Sequence, residues 1–296
     1  MNLRGIYPPC ATPFTPDGSA IELDAVRFNV DRWMATGLRG LVVLGSNGEA
    51  PYVEEQEADE LVAAVRERTP RDRVLIVGTG RESTKATIDA SRRAGRLGAD
   101  FVLVRAPGSF KAQMTSDAFL RHFTAVADAS PVPVLLYNFG AAFGVSIGMD
   151  VVLKMAEHPN VAGLKESGGD LATIADQVSQ TPDSFVVVVG SAPTLYASLC
   201  VGVTGGVVAI ANVVPEAVVK MLRLFDEGKH AEALALQRAI TPLARAVTGG
   251  YGVAGLKAAM TIAGYRGGAP RSPLAPATPK MVADLEHMIN ALNDAL

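Results

Sequence analysis

The chain has 296 residues, a net charge of −3, and 49% hydrophobic against 19% charged side chains. That length and balance describe a globular protein with a large core, as one α/β barrel or two ordinary domains, and exclude a disordered chain. No run of lysine and arginine is long enough to follow a phosphate backbone, so nucleic acid is not an expected partner.

From the N-terminus, residues 1–5 lack the apolar core of a signal peptide, and no later apolar run approaches membrane-spanning length. A cytoplasmic protein with no membrane contact is expected. Cys10 and Cys200 each stand alone in apolar surroundings, which suits buried thiols in a reducing compartment. Short apolar runs then recur at 5–9, 40–44, 74–77, 101–104, 132–137, 161–165, 185–189 and 206–210. Amphipathic stretches lie between them at 22–35, 54–68, 83–97, 116–129, 150–157, 171–179 and 194–201. Ser83, the pair Ser116-Asp117 and the acidic cluster Glu54, Glu55, Glu57 mark helix starts.

Buried strands alternating with helices predict a parallel sheet, and strands without polar alternation predict cover on both faces. Eight such units fit a closed (β/α)₈ TIM barrel. The first unit carries no Gly-x-Gly-x-x-Gly turn, which disfavours a dinucleotide fold. Past the eighth run the alternation stops, and 215–227, 230–248, 253–264 and 279–296 all read as helices. The expected organisation is a barrel over 1–228 and a C-terminal helical extension over 229–296, packed on it as one structural unit.

In such a barrel the chemistry lies at the C-terminal ends of the strands. The second run ends in Gly45-Ser46-Asn47-Gly48-Glu49, a turn able to offer N–H groups and a hydroxyl to an anion, or an ordinary connection with Asn47 in a left-handed conformation. The fifth ends in Tyr137-Asn138, where the phenol could carry a proton or simply be fixed by its hydroxyl. The sixth, Val161-Ala162-Gly163-Leu164, stops at Lys165. Burial there would favour the neutral amine, the form that attacks a carbonyl carbon, unless the side chain curls out to solvent. The seventh ends in Gly190-Ser191, and the eighth carries Val207 and Ile210 before Asn212. His122, His158, His230 and His287 show no metal-ligand spacing, and neither cysteine has a nearby base, so no metal and no cofactor are expected. Trp33 and the methionines read as core filling.

With Lys165, Tyr137 and the 45–49 turn all at strand ends, the chain resembles the dihydrodipicolinate synthase / N-acetylneuraminate lyase family over essentially its whole length. Further matching pieces are Thr12-Pro13-Phe14, Glu82-Ser83-Thr84, Gly98-Ala99-Asp100, Gly190-Ser191 and Ala211-Asn212. These are class I aldolases that form a Schiff base with pyruvate or another 2-oxo acid. The resemblance implies that Lys165 is the imine-forming nucleophile, Tyr137 the proton shuttle, and Ser46, also counted as catalytic, a carboxylate ligand together with Asn47. It also implies that Gly190 and the backbone at Val207 line the pocket, that the partner is a small 2-oxo acid, and that the assembly is a homotetramer built as a dimer of dimers.

The subgroup most resembled is 4-hydroxy-2-oxoglutarate aldolase, through Gly45–Glu49, Glu82–Thr87, Lys165–Asp170 and Gly252–Lys257. In that reading Ser167 touches substrate, and cleavage gives pyruvate and glyoxylate. Three departures stand out. Ala142 occupies the place of the synthases' carboxylate-gripping arginine, which disfavours dihydrodipicolinate synthesis. Asn47 replaces the usual threonine, and Ser109 falls where a second relay tyrosine is expected. A 2-keto-3-deoxy sugar acid aldolase or dehydratase, or a non-catalytic 2-oxo-acid binding protein, are the competing readings.

Overall fold

Eight short strands run parallel: β1 Gly5–Tyr7, β2 Gly40–Val43, β3 Val74–Gly78, β4 Phe101–Arg105, β5 Val134–Asn138, β6 Val161–Glu166, β7 Val186–Val189 and β8 Gly205–Val207. The computed structural model describes residues 3–295; Met1, Asn2 and Leu296, the expected last residue of the final helix, lie outside it. The ladder runs β1-β8-β7-β6-β5-β4-β3-β2. Between β1 and β2 the circle closes through a parallel bridge of Pro9 with Val42. There the Val42 N–H donates to Pro8 O at 3.0 Å and the Cys10 N–H to Val42 O at 2.8 Å.

Side chains alternate across each strand, which explains the unbroken apolar runs. Tyr7, Val42, Ile76, Leu103, Leu135, Val188 and Val207 fill the barrel interior. Their neighbours Ile6, Leu41, Val43, Leu75, Val102, Leu136 and Leu164 pack outward into the layer beneath the helices.

The connecting helices are α1 Leu23–Met34, α2 Glu55–Arg68, α3 Thr84–Arg96, α4 Ser116–Ala129, α5 Gly140–Phe143, α6 Met149–Ala156, α7 Leu171–Gln180, α8 Leu195–Cys200 and α9 Pro215–Asp226. Their starts follow side-chain chemistry. Glu54 and Glu57 form a capping box on α2, the Ser83 hydroxyl accepts from Ala86 N–H on α3, and Asp170 accepts from Thr173 N–H on α7. On α4 the cap is Thr115, and Ser116 is already helical. The C-terminal extension is α10 His230–Arg245, α11 Gly252–Ile262 and α12 Pro279–Ala295, with a π-helical turn, Ala246–Gly250, joining the first two.

The sequence reading needs three corrections. Strand β8 ends at Val207, and Ile210 lies in a 3₁₀ turn, Ala209–Asn212, where a buried apolar run had the look of strand. The helix expected over 230–248 stops at Arg245 and widens into the π turn. Cys200 is exposed, because the short α8 ends there with its last side chain outward, whereas Cys10 is buried as expected.

Asn212 is fully buried and works as a latch. Its side-chain amide donates to Pro9 O at 3.1 Å and Ala209 O at 2.9 Å, and its carbonyl accepts from Ala11 N–H at 3.3 Å, tying β8 to β1. Trp33 donates to the Asn212 backbone from the core of α1.

His122, buried on α4, shares a 2.9 Å hydrogen bond with Thr84 and has its pKa pushed down to about 4. Burial is the main cause; the Arg105 charge adds to it and Glu82 opposes it. The unfolded imidazole titrates near 6.5, so between about pH 6.5 and 4 the unfolded chain binds the extra proton and the fold loses stability as pH falls. Urea midpoints should therefore drop across that window by the equivalent of about 3 kcal/mol, and His122→Gln should flatten the dependence.

Candidate active site

Two lysines are almost completely buried, and their surroundings differ sharply. Lys257, on α11, sits 2.5 Å from the Glu49 carboxylate and donates to Ala269 O at 2.6 Å. Burial pushes its pKa down, partly offset by Glu49. Lys165, near the end of β6 and 3% exposed, has neither kind of partner. No hydrogen bond or ion pair to its Nζ forms among the described residues. The amine lies 4.1 Å from the centroid of the Tyr137 ring, its neighbour in strand register on β5. A buried amine without a counter-ion is costly, and such exceptions concentrate at sites of chemistry.

Lys165 opens into a cavity of about 350 Å³ at the C-terminal mouth of the barrel. Ser46, Asn47, Tyr137, Ser167, Gly190 and Val207 line the same cavity, so the fold brings together with Lys165 the residues to which the resemblance assigns a catalytic or binding role. The Tyr137 hydroxyl lies 3.3 Å from Ser46 Oγ, linking the phenol to the turn after β2. That turn is held open by Leu44 and Glu49, both non-glycine residues with φ near +55° (56° and 55°). Its carbonyls at Gly45 and Ser46 accept from Gly48, Glu49 and Ala50, while the N–H groups of Ser46 and Asn47 find no acceptor among the described residues. Two free amides beside a hydroxyl make a fitting cradle for a carboxylate.

Gly190 earns its place by contact. A Cβ there would collide with Ser167 Oγ and press to 3.2 Å from Lys165 Cε. Gly190→Ala should therefore displace the amine and lower kcat/KM about 100-fold while leaving thermal stability nearly unchanged, as steady-state assays and a melting curve would show.

Sequence reasoning missed three parts of the site. Glu166, buried next to Lys165, accepts from Asn138 Nδ2 at 2.7 Å, Gln177 Nε2 at 3.0 Å and Gly168 N–H at 2.6 Å. It thereby fixes the ends of β5 and β6, and with them Tyr137 and Lys165, against each other. Asn138 and Glu166 were visible at strand ends, but Gln177 belongs to a helix and gave no signal. The second part is the pairing of Glu49 with Lys257. The third is the outer wall of the cavity, where Val247, Thr248, Gly249, Gly252 and Val253 come from the C-terminal extension.

Two expected positions stay outside the cavity. Ala142 is exposed on α5, whose neighbours Phe139 and Phe143 pack around Tyr137 at centroid distances of 6.4 and 5.2 Å. Ser109 is exposed, and its N–H donates to Glu82 at 2.8 Å. Among the described residues no cluster of three or more His, Cys, Asp or Glu side chains could hold a metal ion.

An unpaired amine buried beside a cavity at this end of a barrel is the arrangement that carbonyl chemistry through a lysine Schiff base requires. Residues 2–292 match the Dihydrodipicolinate synthetase family, and the chain belongs to it. A probable mitochondrial 4-hydroxy-2-oxoglutarate aldolase of Emericella nidulans is 35% identical over 287 residues, covering 94% of this chain and 92% of that one. The structure of 4-hydroxy-tetrahydrodipicolinate synthase from Methylacidiphilum fumariolicum is similar with a TM-score of 0.93 at 29% identity, covering 100% and 97% of the two chains. A prophage protein of the dihydrodipicolinic acid synthase family from E. coli K12, solved in complex with pyruvate, reaches 0.91 at 26% identity over 98% and 99%. The protein is thus a class I aldolase of this family.

Proposed function

We propose that Lys165 forms the Schiff base, with pyruvate as the 2-oxo acid made or consumed. The observation that carries this reading is the contrast between the two buried lysines: one saturated by a carboxylate and a carbonyl, the other facing a ring and open space. The Lys165 amine adds to C2 of the 2-oxo acid and a C–N bond forms; the Tyr137 phenol then gives its proton to the C2 oxygen, which leaves as water, so that a protonated imine and the Tyr137 phenolate remain. When the C3–C4 bond breaks, its electron pair flows into that imine. The C4 hydroxyl gives its proton to Tyr137, which can exchange it with Ser46, and an aldehyde departs. Protonation at C3 and hydrolysis then release pyruvate and restore the amine. Ser46 and Asn47 hold the C1 carboxylate, Ser167 faces the reacting carbons, and Gly190 and Val207 close the wall.

Borohydride reduction in the presence of pyruvate tests the assignment. A mass adduct confined to the peptide containing Lys165 is expected, and no adduct at any pyruvate concentration would end the proposal.

We further propose that the chain works in the cytoplasm as a homotetramer and that the barrel (1–228) and extension (229–296) act as one unit. The cavity wall contributed by the extension supports the last point. No helix among the described residues is long and apolar enough to cross a membrane. Phe110, 70% exposed on the loop after β4, offers an apolar contact for self-association. Sedimentation of the wild type against Phe110→Asp reads out the assembly.

A further inference from the structure

We infer that the fragment joined to or released from pyruvate is an uncharged aldehyde, apolar or hydroxylated. This rests on the Schiff-base reading above and turns away from glyoxylate, the fragment suggested by sequence resemblance.

The charges in the cavity decide the matter. Among its lining residues Lys165 alone carries an ionisable amine or guanidinium, and no acidic side chain is present. Once the imine forms, its positive charge is matched by the C1 carboxylate, which sits in the cradle of Ser46 and Asn47 amides. A second carboxylate would then be an unmatched charge, taken out of water against walls that offer it hydroxyls and amides but no second cation. Burying a charge without a partner is strongly unfavourable.

The space beyond the imine has a different character. Phe139, Ala192, Pro193, Val247 and Val253 supply apolar surface, and Ser167, Ser191 and Thr248 supply hydroxyls. Room is left by Gly249 and Gly252, where an added Cβ would meet nothing within 4 Å. A cavity of about 350 Å³ also exceeds what pyruvate and a two-carbon fragment require.

The guanidiniums closest in the fold do not alter this reading. Arg81 and Arg105 line a separate cavity of about 80 Å³, on the other side of the contact between Ser46 and Tyr137. Arg81 is paired with Glu55 at 2.9 Å and Arg105 with Glu82 at 2.6 Å, and Arg105 also lies over the Phe143 ring. Both charges are answered before any substrate arrives.

The test runs the reaction toward bond formation with the full chain, pyruvate as donor and a panel of acceptors. Glyoxylate and succinic semialdehyde represent the anions; glycolaldehyde, glyceraldehyde and butanal represent the neutral class. The best neutral acceptor should exceed both anions in kcat/KM by about tenfold or more. An equal or higher value for glyoxylate overturns the inference. Arg105→Gln should leave the ranking as it is, and loss of anion use specific to that variant would place an anion subsite in the smaller cavity and overturn it as well. Borohydride trapping with pyruvate alone separates the two levels. An adduct at Lys165 with an anion-preferring panel refutes only the acceptor class, whereas no adduct removes the aldolase mechanism and this inference with it.

Discussion

Lys165→Ala should lose turnover by about four orders of magnitude or more, because no other group can supply the covalent electron sink. The same substitution should leave the melting temperature unchanged or raise it. The native amine is 3% exposed and gains no hydrogen bond or ion pair in return for its lost hydration, so its removal relieves a cost. Lys165→Met, which keeps most of the side-chain volume, should show the stabilisation more clearly, since alanine also leaves a void. Activity assays paired with urea denaturation check both halves. An inactive variant that is also strongly destabilised would argue that the lysine is structural.

Lys257→Met should behave in the opposite manner. It strands the Glu49 carboxylate, 2% exposed, with only the Arg271 N–H at 2.8 Å. Breaking a buried ion pair from one side typically costs about 3–5 kcal/mol. The urea midpoint should fall accordingly, and adding Glu49→Gln should restore most of the loss, because the remaining groups are neutral and the Arg271 N–H keeps an acceptor. Activity should fall with the single substitution too. Glu49 closes the turn that presents Ser46 and Asn47, at a left-handed φ of 55° that the buried pair holds in place.

These two lysines also show what could be read from the chain beforehand. Lys165 announces itself because it interrupts an apolar strand at the end where barrel chemistry lies. Lys257 falls at a helical position where a lysine ordinarily faces water, and its partner is more than two hundred positions away in sequence. Nothing local marks it as buried. The barrel was legible for the same reason as Lys165: strands covered on both faces leave unbroken apolar runs, and seven of the eight begin and end within two residues of the observed strand. Where a buried turn is as apolar as a strand, as at Ala209–Asn212, the pattern cannot separate them. The site was legible as far as single strand ends reach. Glu166 with Gln177, and the wall from the π turn, depend on which helix lands beside which strand.

The π turn has a consequence for how such proteins diversify. The groups assigned to imine chemistry sit on β5, β6 and the turn after β2, whereas Val247, Thr248, Gly249, Gly252 and Val253 form one short contiguous segment on the far rim. Partner choice can thus drift through a handful of codons while the reactive amine stays untouched. Grafting residues 246–253 from one relative into another should carry acceptor preference with it.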